Sequence, residues 1–224
     1  MRRFFGIGWP TMGVAGLLSL ALGCAATTDE RMKMFNDDGV SMFGQGRYRE
    51  AVESFEVAST LTPNDPHLLF NMGQCHDRLG EWKKAETYYQ ECLSRDKNHP
   101  DARHALANLC YRTGRVDQAN KMIDDWLTQE GGPVADGYVL DAWRLRQEKD
   151  LPKAMDRLQR AVSMEPRNPR ALIEMGIVFE MMNMPDRSLV LYERAAQIQP
   201  TNADVRNRIE SLKAKGVQRA LLDQ

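Results

Sequence analysis

The sequence predicts an all-α fold built from repeated antiparallel helix pairs, and three observations lead to this prediction. The phrase "GRYREAVESF" at 46–55 returns 34 residues later as "GEWKKAETYY" at 80–89. Apolar residues in each copy lie three and four residues apart, which is the spacing of one helical face. Prolines recur at joins between copies, at Pro66, Pro100 and Pro169, and the first position of a helix accepts proline.

Small and large residues recur at fixed offsets through five units. One small position is occupied by Ala51, Ala85, Ala119, Ala154 and Ser188. A second small position, twelve residues earlier, is occupied by Gly39, Gly73, Ala107, Ala142 and Gly176. A large residue stands four residues after the first position, at Phe55, Tyr89, Ile123, Leu158 and Tyr192. Small residues let two helix axes approach, and large ones fill the space beside them, so each unit is predicted to be two packed helices.

The ends of the helices are marked as well. Glycine accepts the left-handed conformation that often ends a helix, and Gly46, Gly80 and Gly114 stop the first helix of three units. Asn183 can do the same in the fifth unit, whereas Lys149 is a weaker stop in the fourth. Two residues that directly precede the join prolines are predicted N-caps, namely Asp65 and Asn168.

These positions and offsets resemble the tetratricopeptide repeat, over about residues 32–202. The resemblance implies a right-handed superhelix of about five antiparallel helix pairs plus a C-terminal capping helix. The predicted repeats are 32–65, 66–99, 100–134, 135–168 and 169–202, followed by a capping helix at 203–215 and a tail at 216–224. Because each pair buries its face only against its neighbours, residues 32–215 are expected to form one solenoid.

The junction between the third and fourth repeats departs from the pattern. Seven residues after the first small position, the other repeats carry Ala or Cys, and the third carries Trp126. One extra residue falls at the same junction, within "TQEGGPVADG". A bulky side chain and an insertion in one place predict a changed rotation between these repeats. The alternative is that Trp126 simply fills a wider gap.

The N-terminal residues are predicted to export and tether the chain. "MRR" precedes an uncharged run at 4–23 that ends in small residues before Cys24, a pattern typical of a secretory signal. "LALGC" resembles the lipobox of bacterial lipoproteins, which implies a signal peptide at 1–23, a lipidated Cys24 and a short tether at 24–31. The alternative is an uncleaved anchor, since about 20 apolar residues span a bilayer. Ala25, in place of an aspartate, favours an outer-membrane lipoprotein that faces the periplasm.

The first helices of each pair line a binding groove in the resembling family. Transferred to this sequence, the groove positions are Phe70, Asn71, Gln74, His104, Asn108, Tyr111, Arg112, Val139, Trp143, Arg146, Ile173 and Ile177. The N-terminal half is rich in amides, which can hydrogen-bond a peptide backbone. The C-terminal half is apolar and suits an amphipathic helix or a hydrophobic tail. Trp143 is the expected anchor, with packing in the core as the alternative. Only Asn71 matches the carboxylate clamp of chaperone-binding members, so that mode of recognition is not expected.

Composition and motifs argue against other functions. The formal net charge of −1 gives no reason to expect a nucleic-acid partner. No phosphate loop, hydrolase motif or zinc spacing is present, so no catalytic residue, metal site or cofactor is predicted and the chain is not expected to be an enzyme. Cys75, Cys92 and Cys110 are predicted to be small buried residues, with a disulfide as the alternative. Copper binding by the methionines of "EMMNMP" is a minor alternative to helix packing.

The leading hypothesis is a membrane-tethered scaffold or adaptor that holds an envelope or secretion protein in its groove. Lipid-anchored tetratricopeptide proteins that this chain resembles include pilotins and adaptors for cell-wall hydrolases. The alternative is a structural solenoid that assembles with copies of itself and binds no peptide. An enzyme or a metal-binding protein is a distant third hypothesis.

Overall fold

The computed structural model describes residues 27–129 and 134–218. Within these residues the regular secondary structure is entirely α-helical, which confirms the predicted all-α class. The helices are α1 (Thr28–Gly44), α2 (Tyr48–Leu61), α3 (Pro66–Arg78), α4 (Trp82–Arg95), α5 (Pro100–Arg112), α6 (Val116–Leu127), α7 (Ala135–Gln147), α8 (Leu151–Met164), α9 (Pro169–Met181), α10 (Pro185–Ile198) and α11 (Ala203–Ala214).

The helices pack in pairs within two compact units. The first unit, which ends at Pro63, contains the α1–α2 pair. The second unit, which begins at Asn64, contains the pairs α3–α4, α5–α6, α7–α8 and α9–α10, with α11 packed on α10. In this second unit α3, α5, α7 and α9 also contact one another in sequence. They therefore lie side by side and form one surface, which we call the odd-helix face.

The fixed offsets of small and large residues are explained by close packing inside each pair. A Cβ atom added to Gly73 would lie 2.6 Å from the ring of Tyr89, and one added to Gly176 would lie 2.5 Å from the ring of Tyr192. Both rings are almost completely buried. The ring therefore occupies the space that a side chain on the facing helix would need, as the sequence pattern predicts.

The helix ends follow the predicted capping residues, with one correction. Asp65 and Asn168 accept hydrogen bonds from backbone amides of the first turn that follows them. The first helix, however, begins at Thr28, within the predicted tether of residues 24–31. Thr27 accepts a hydrogen bond from the backbone of Glu30 and the Glu30 carboxylate accepts one from the backbone of Thr27. This reciprocal capping box starts the helix early.

Lys149 gives a first prediction about stability. It occupies the stop position in the fourth pair with φ of +64°, close to the +78° of Gly114 at the equivalent position. Because a side chain strains the left-handed conformation, we expect Lys149→Gly to raise the free energy of unfolding by about 1 kcal/mol. Denaturant unfolding of the full-length protein measures this change. The opposite exchange at the equivalent position of the third pair, Gly114→Lys, should lower the free energy of unfolding by a similar amount. A loss of stability in Lys149→Gly would contradict the explanation.

Trp126 lies in the core at the junction between α6 and α7. Its side chain is 2 % exposed, and the guanidinium of Arg103 lies 4.6 Å from the ring centroid. The indole therefore fills the space between the helices, which was the alternative stated above. The changed rotation at this junction stays a prediction, and residues 130–133 of the insertion lie outside the described residues.

Of the other sequence features, the three predicted core cysteines lie within the described residues, and the predicted signal segment lies outside them. Cys75, Cys92 and Cys110 are buried and unpaired, and burial raises the pKa of Cys75 to about 11 and that of Cys92 to about 12. Their predicted role as small core residues is confirmed. Cys24 and the predicted signal segment lie outside the described residues. Among residues 27–129 and 134–218, no helix combines the length and the apolar character needed to cross a membrane.

Candidate functional site

The odd-helix face contains a small apolar cavity between α5, α7 and α9, which we call the central pocket. Its volume is about 180 Å³. The lining residues are Pro100, Asp101, His104, Asp136, Val139, Leu140, Trp143, Arg170, Ile173 and Glu174. Four of the predicted groove residues, His104, Val139, Trp143 and Ile173, therefore meet at one place.

Trp143 forms an inner wall of the central pocket. The side chain is only 4 % exposed. Two rings from α5 pack edge-on against it, with centroid distances of 5.1 Å for His104 and 5.0 Å for Tyr111. The structure thus places Trp143 in the core, which was the alternative to its role as a projecting anchor. An incoming side chain could touch only the part of the indole that lines the pocket.

The rim of the central pocket carries two sets of arginine–carboxylate contacts. Arg170 donates from Nε to Asp101 Oδ1 at 2.9 Å, while its Nη1 lies 3.7 Å from Asp136 Oδ1. Arg146 donates from Nε and Nη2 to the two carboxylate oxygens of Glu174, at 2.9 and 3.0 Å. Paired contacts of this kind fix both position and orientation. They join α5 and α7 to α9 and hold the walls of the pocket in place.

His104 stands between the central pocket and the next depression along the face. His104 is exposed to solvent, although many protein atoms lie close to its ring. This desolvation lowers the pKa of His104; Glu174 and Asp101 raise it, and Arg146 and Arg170 lower it further. The lowered pKa of His104 favours the neutral ring, which suits its edge-on contact with Trp143.

The His104 shift leads to a pH prediction. A folded-state pKa below the ordinary 6.5 means that the unfolded chain binds the proton first as pH falls. The contribution to stability is complete above 6.5 and is lost as pH falls through the folded pKa. We expect the His104 ring resonance, assigned by its loss in His104→Gln, to titrate with a midpoint below 6.5. A midpoint at or above that value would contradict this account of the ring's surroundings.

A second depression, which we call the polar pocket, lies between α3 and α5. Its lining is Gln74, Asp77, Arg78, Tyr89, His104, Ala105, Asn108 and Arg112. Arg112 Nη1 donates to both carboxylate oxygens of Asp77 at 2.9 Å, joining the two helices. Gln74 and Asn108 make no side-chain hydrogen bond within the described part of the chain. Hydrogen bonding of these two amides to a peptide backbone stays a prediction, and their lack of side-chain partners is compatible with it.

The remaining predicted groove residues serve other contacts. Phe70 packs against the rings of Tyr89 and His99. Tyr111 donates its hydroxyl to Asn120 at 2.7 Å as well as packing on Trp143. Arg146 is held by Glu174, and Ile177 lines a shallow depression beside α11. Asn71 lines neither the central nor the polar pocket.

Six lining residues of the central pocket were absent from the predicted groove: Pro100, Asp101, Asp136, Leu140, Arg170 and Glu174. A signal for three of them exists in the repeat register. Asp101, Asp136 and Arg170 each occupy the second residue of their helices, α5, α7 and α9. Equivalent positions on adjacent helices lie side by side, so opposite charges there can pair. Comparing charges at equivalent positions of successive repeats would have found this part of the rim.

The comparisons with known proteins agree with this architecture. The sequence profile of the tetratricopeptide repeat matches residues 42–90 and 82–136. Among solved structures, a thermophilic TPR protein of Thermus thermophilus, TTC0263, superposes with a TM-score of 0.59 at 21% sequence identity. The match covers 82% of this chain and 99% of that one. At this identity the likeness concerns the fold.

Two curated relatives are much longer than this chain. Human protein O-mannosyl-transferase TMTC1 is 23% identical over 175 residues, which is 76% of this chain and 19% of that protein. The cellulose synthase operon protein C of Pseudomonas fluorescens is 25% identical over 167 residues, which is 63% of this chain and 13% of that protein. This chain thus spans less than a fifth of the length of either relative. Taken with the helix pairs, the repeat profile and the TTC0263 structure show that the chain has the all-α fold of tetratricopeptide repeat proteins.

Proposed function

We propose that this chain is a non-catalytic scaffold that binds a peptide segment of another protein on its odd-helix face. The observation that carries the proposal is the central pocket, where apolar walls meet a rim of oriented charged groups. Such a combination of an apolar depression with a few fixed polar groups is typical of binding sites. The neighbouring polar pocket offers amides for the backbone of the same segment.

The contacts at the central pocket support a binding scaffold better than they support an enzyme. Two of the three carboxylates that line the central pocket are engaged in direct ion pairs: Asp101 is bonded to Arg170, and Glu174 to Arg146. Fixed ion pairs of this kind hold helices together and select a ligand. A general base or nucleophile needs instead a free lone pair beside the reacting group.

The binding proposal can be tested by selection from a library of random short peptides on the full-length protein in detergent. We expect peptides to be enriched on the wild type and to lose at least about tenfold in affinity on Ile173→Glu, because the new carboxylate replaces an apolar wall. Met164→Glu is the matched control, since Met164 lies on α8 and is 50 % exposed. No enrichment, or equal losses in both variants, would contradict peptide binding at this face.

We further propose that the scaffold is tethered to the membrane of a bacterial envelope through lipid on Cys24. The support is the sequence "LALGC" after an uncharged run. Mass spectrometry of the N-terminal peptide from the membrane fraction tests this directly. We expect a peptide that starts at Cys24 and carries acyl chains. An intact peptide that runs from Met1 through Cys24 would contradict lipidation of Cys24 and would make the apolar run at 4–23 the membrane anchor.

Self-assembly remains the second candidate function. The exposed apolar residues on the even-numbered helices, such as Trp82 and Met164, could contact other copies. Light scattering of the full-length protein over a range of concentrations separates the two functions. A mass that stays constant supports a different partner, and a mass that grows with concentration supports self-assembly.

A further inference from the structure

We propose that the central pocket selects a peptide that carries one bulky apolar side chain beside a lysine or arginine, and that Asp136 binds the basic group. This inference rests on the proposed peptide-binding function and specifies its ligand. Three features of the site support it: the size of the cavity, the chemistry of its walls and the unequal pairing of the rim carboxylates.

The size and the walls favour a single apolar side chain. A volume of about 180 Å³ is below the range of about 300–1,000 Å³ found for sites that take whole small molecules. Val139, Leu140 and Trp143 are buried wall residues, and Ile173 is half-buried at the mouth. Burying one aliphatic or aromatic side chain against such walls removes apolar surface from water on both partners.

The pairing of the rim carboxylates is unequal. Arg170 gives its two hydrogen bonds to Asp101, and Asp136 receives only a longer contact of 3.7 Å from the same guanidinium. The other polar contact of Asp136 is a hydrogen bond of 3.2 Å from the amide of Asn168. Asp136 is thus a half-buried carboxylate at the pocket without a cation in direct hydrogen-bond contact within the described residues.

The electrostatics around Arg170 point the same way. Burial lowers the pKa of Arg170, yet Asp101, Asp136 and Glu165 together raise it above its ordinary value. Three carboxylates therefore act on one guanidinium. The N-termini of α5, α7 and α9 offset part of this negative charge, and the three carboxylates still outnumber the one guanidinium. A partner's ammonium or guanidinium group would add positive charge here, whereas an acidic residue at the same place would be repelled.

The experiment uses the peptides selected on the full-length protein. For one enriched peptide, affinities are measured for the parent, for a version with its lysine or arginine replaced by glutamine, and for a version with its apolar residue replaced by alanine. Each is measured on the wild type and on Asp136→Asn. The amide oxygen of the introduced asparagine can still accept the hydrogen bond from Asn168, so this substitution removes the charge and keeps the packing.

The expected result is a specific coupling. Asp136→Asn should weaken the parent peptide about tenfold, as loss of one charge-assisted hydrogen bond does, and leave the glutamine version nearly unchanged. Asp186→Asn is the matched control, because Asp186 holds the same second position on the even-numbered helix α10 and should change neither affinity.

Three results would overturn the inference while leaving peptide binding intact. The first is a set of enriched peptides without a shared basic residue, and the second is an equal effect of Asp136→Asn on parent and glutamine peptides. The third is that peptide binding dissociates an oligomer of this chain. That result would mean that a second copy of the chain naturally occupies the central pocket. No enrichment on the wild type would instead remove the proposed function on which the inference rests.

Discussion

Gly176→Leu is expected to destabilise the protein by about 3 kcal/mol, because it forces a side chain into space that a buried ring already fills. The site offers little room for adjustment. Tyr192 is fully buried, its hydroxyl donates to Glu180, and the guanidinium of Arg208 lies 5.6 Å from its ring centroid. Thermal and denaturant unfolding of the full-length protein, followed by circular dichroism, measure the loss.

A control and a double-mutant cycle identify the cause of that loss. Gly44→Leu is the control, since no atom outside its chain neighbours and its own helix backbone lies within 4 Å of a Cβ added at Gly44. This variant should be neutral or slightly stabilising through better helix propensity. Tyr192→Ala should be destabilising by itself, but it opens the space that the leucine needs. The double variant should therefore be at least about 1 kcal/mol more stable than the sum of the two losses. Additive losses would show that Gly176 and Tyr192 do not compete for the same space.

Asp141→Ala is the second substitution with a large expected effect. Asp141 is 0% exposed and lies on α7. It accepts hydrogen bonds from Arg144 of the same helix and, at 2.7 Å, from Nε of Arg157 on α8. Removal of this carboxylate leaves two partly buried guanidinium groups without their shared partner. We expect a loss of about 3 kcal/mol, at the lower end of the range for breaking a buried ion pair.

Asp124→Ala is the matched control for that prediction. Asp124 accepts a hydrogen bond of 2.8 Å from the same Arg144, but its side chain is 61% exposed. Exposed ion pairs contribute less than about 1 kcal/mol, so this variant should remain close to the wild type in chemical denaturation. Equal losses in Asp124→Ala and Asp141→Ala would mean that burial does not determine the strength of these contacts.

The pairing of helices was predictable because it depends on residues close in sequence. Gly176 and Tyr192 are sixteen residues apart, on the two helices of one pair, so their packing follows from local periodicity. The early start of α1 was also readable, since Thr27 and Glu30 have the spacing of a capping box. The buried charge of Asp141 was not predictable in this way, because a carboxylate within a helical pattern is ordinarily expected to face solvent.

The candidate site was predictable only in part, because it depends on how successive pairs pack. Repeat register identified His104, Val139 and Ile173 as residues of one face, and the structure brings them together in the central pocket. The burial of Trp143 depends on two rings contributed by the preceding pair, and the sequence of its own repeat contains no information about them. The unequal pairing of Asp101 and Asp136 with one arginine likewise requires the distances between three helices.

The most direct test of the central claim is photo-crosslinking in living cells from position 104, between the two pockets of the odd-helix face. Position 164, on α8, is the control. If a partner peptide binds this face, we expect a discrete crosslinked product from position 104 and none from position 164. The product from position 104 should be reduced by Ile173→Glu. Equal products from the two positions, or a product from position 104 that Ile173→Glu leaves unchanged, would contradict the claim that this face is where the protein binds its partner.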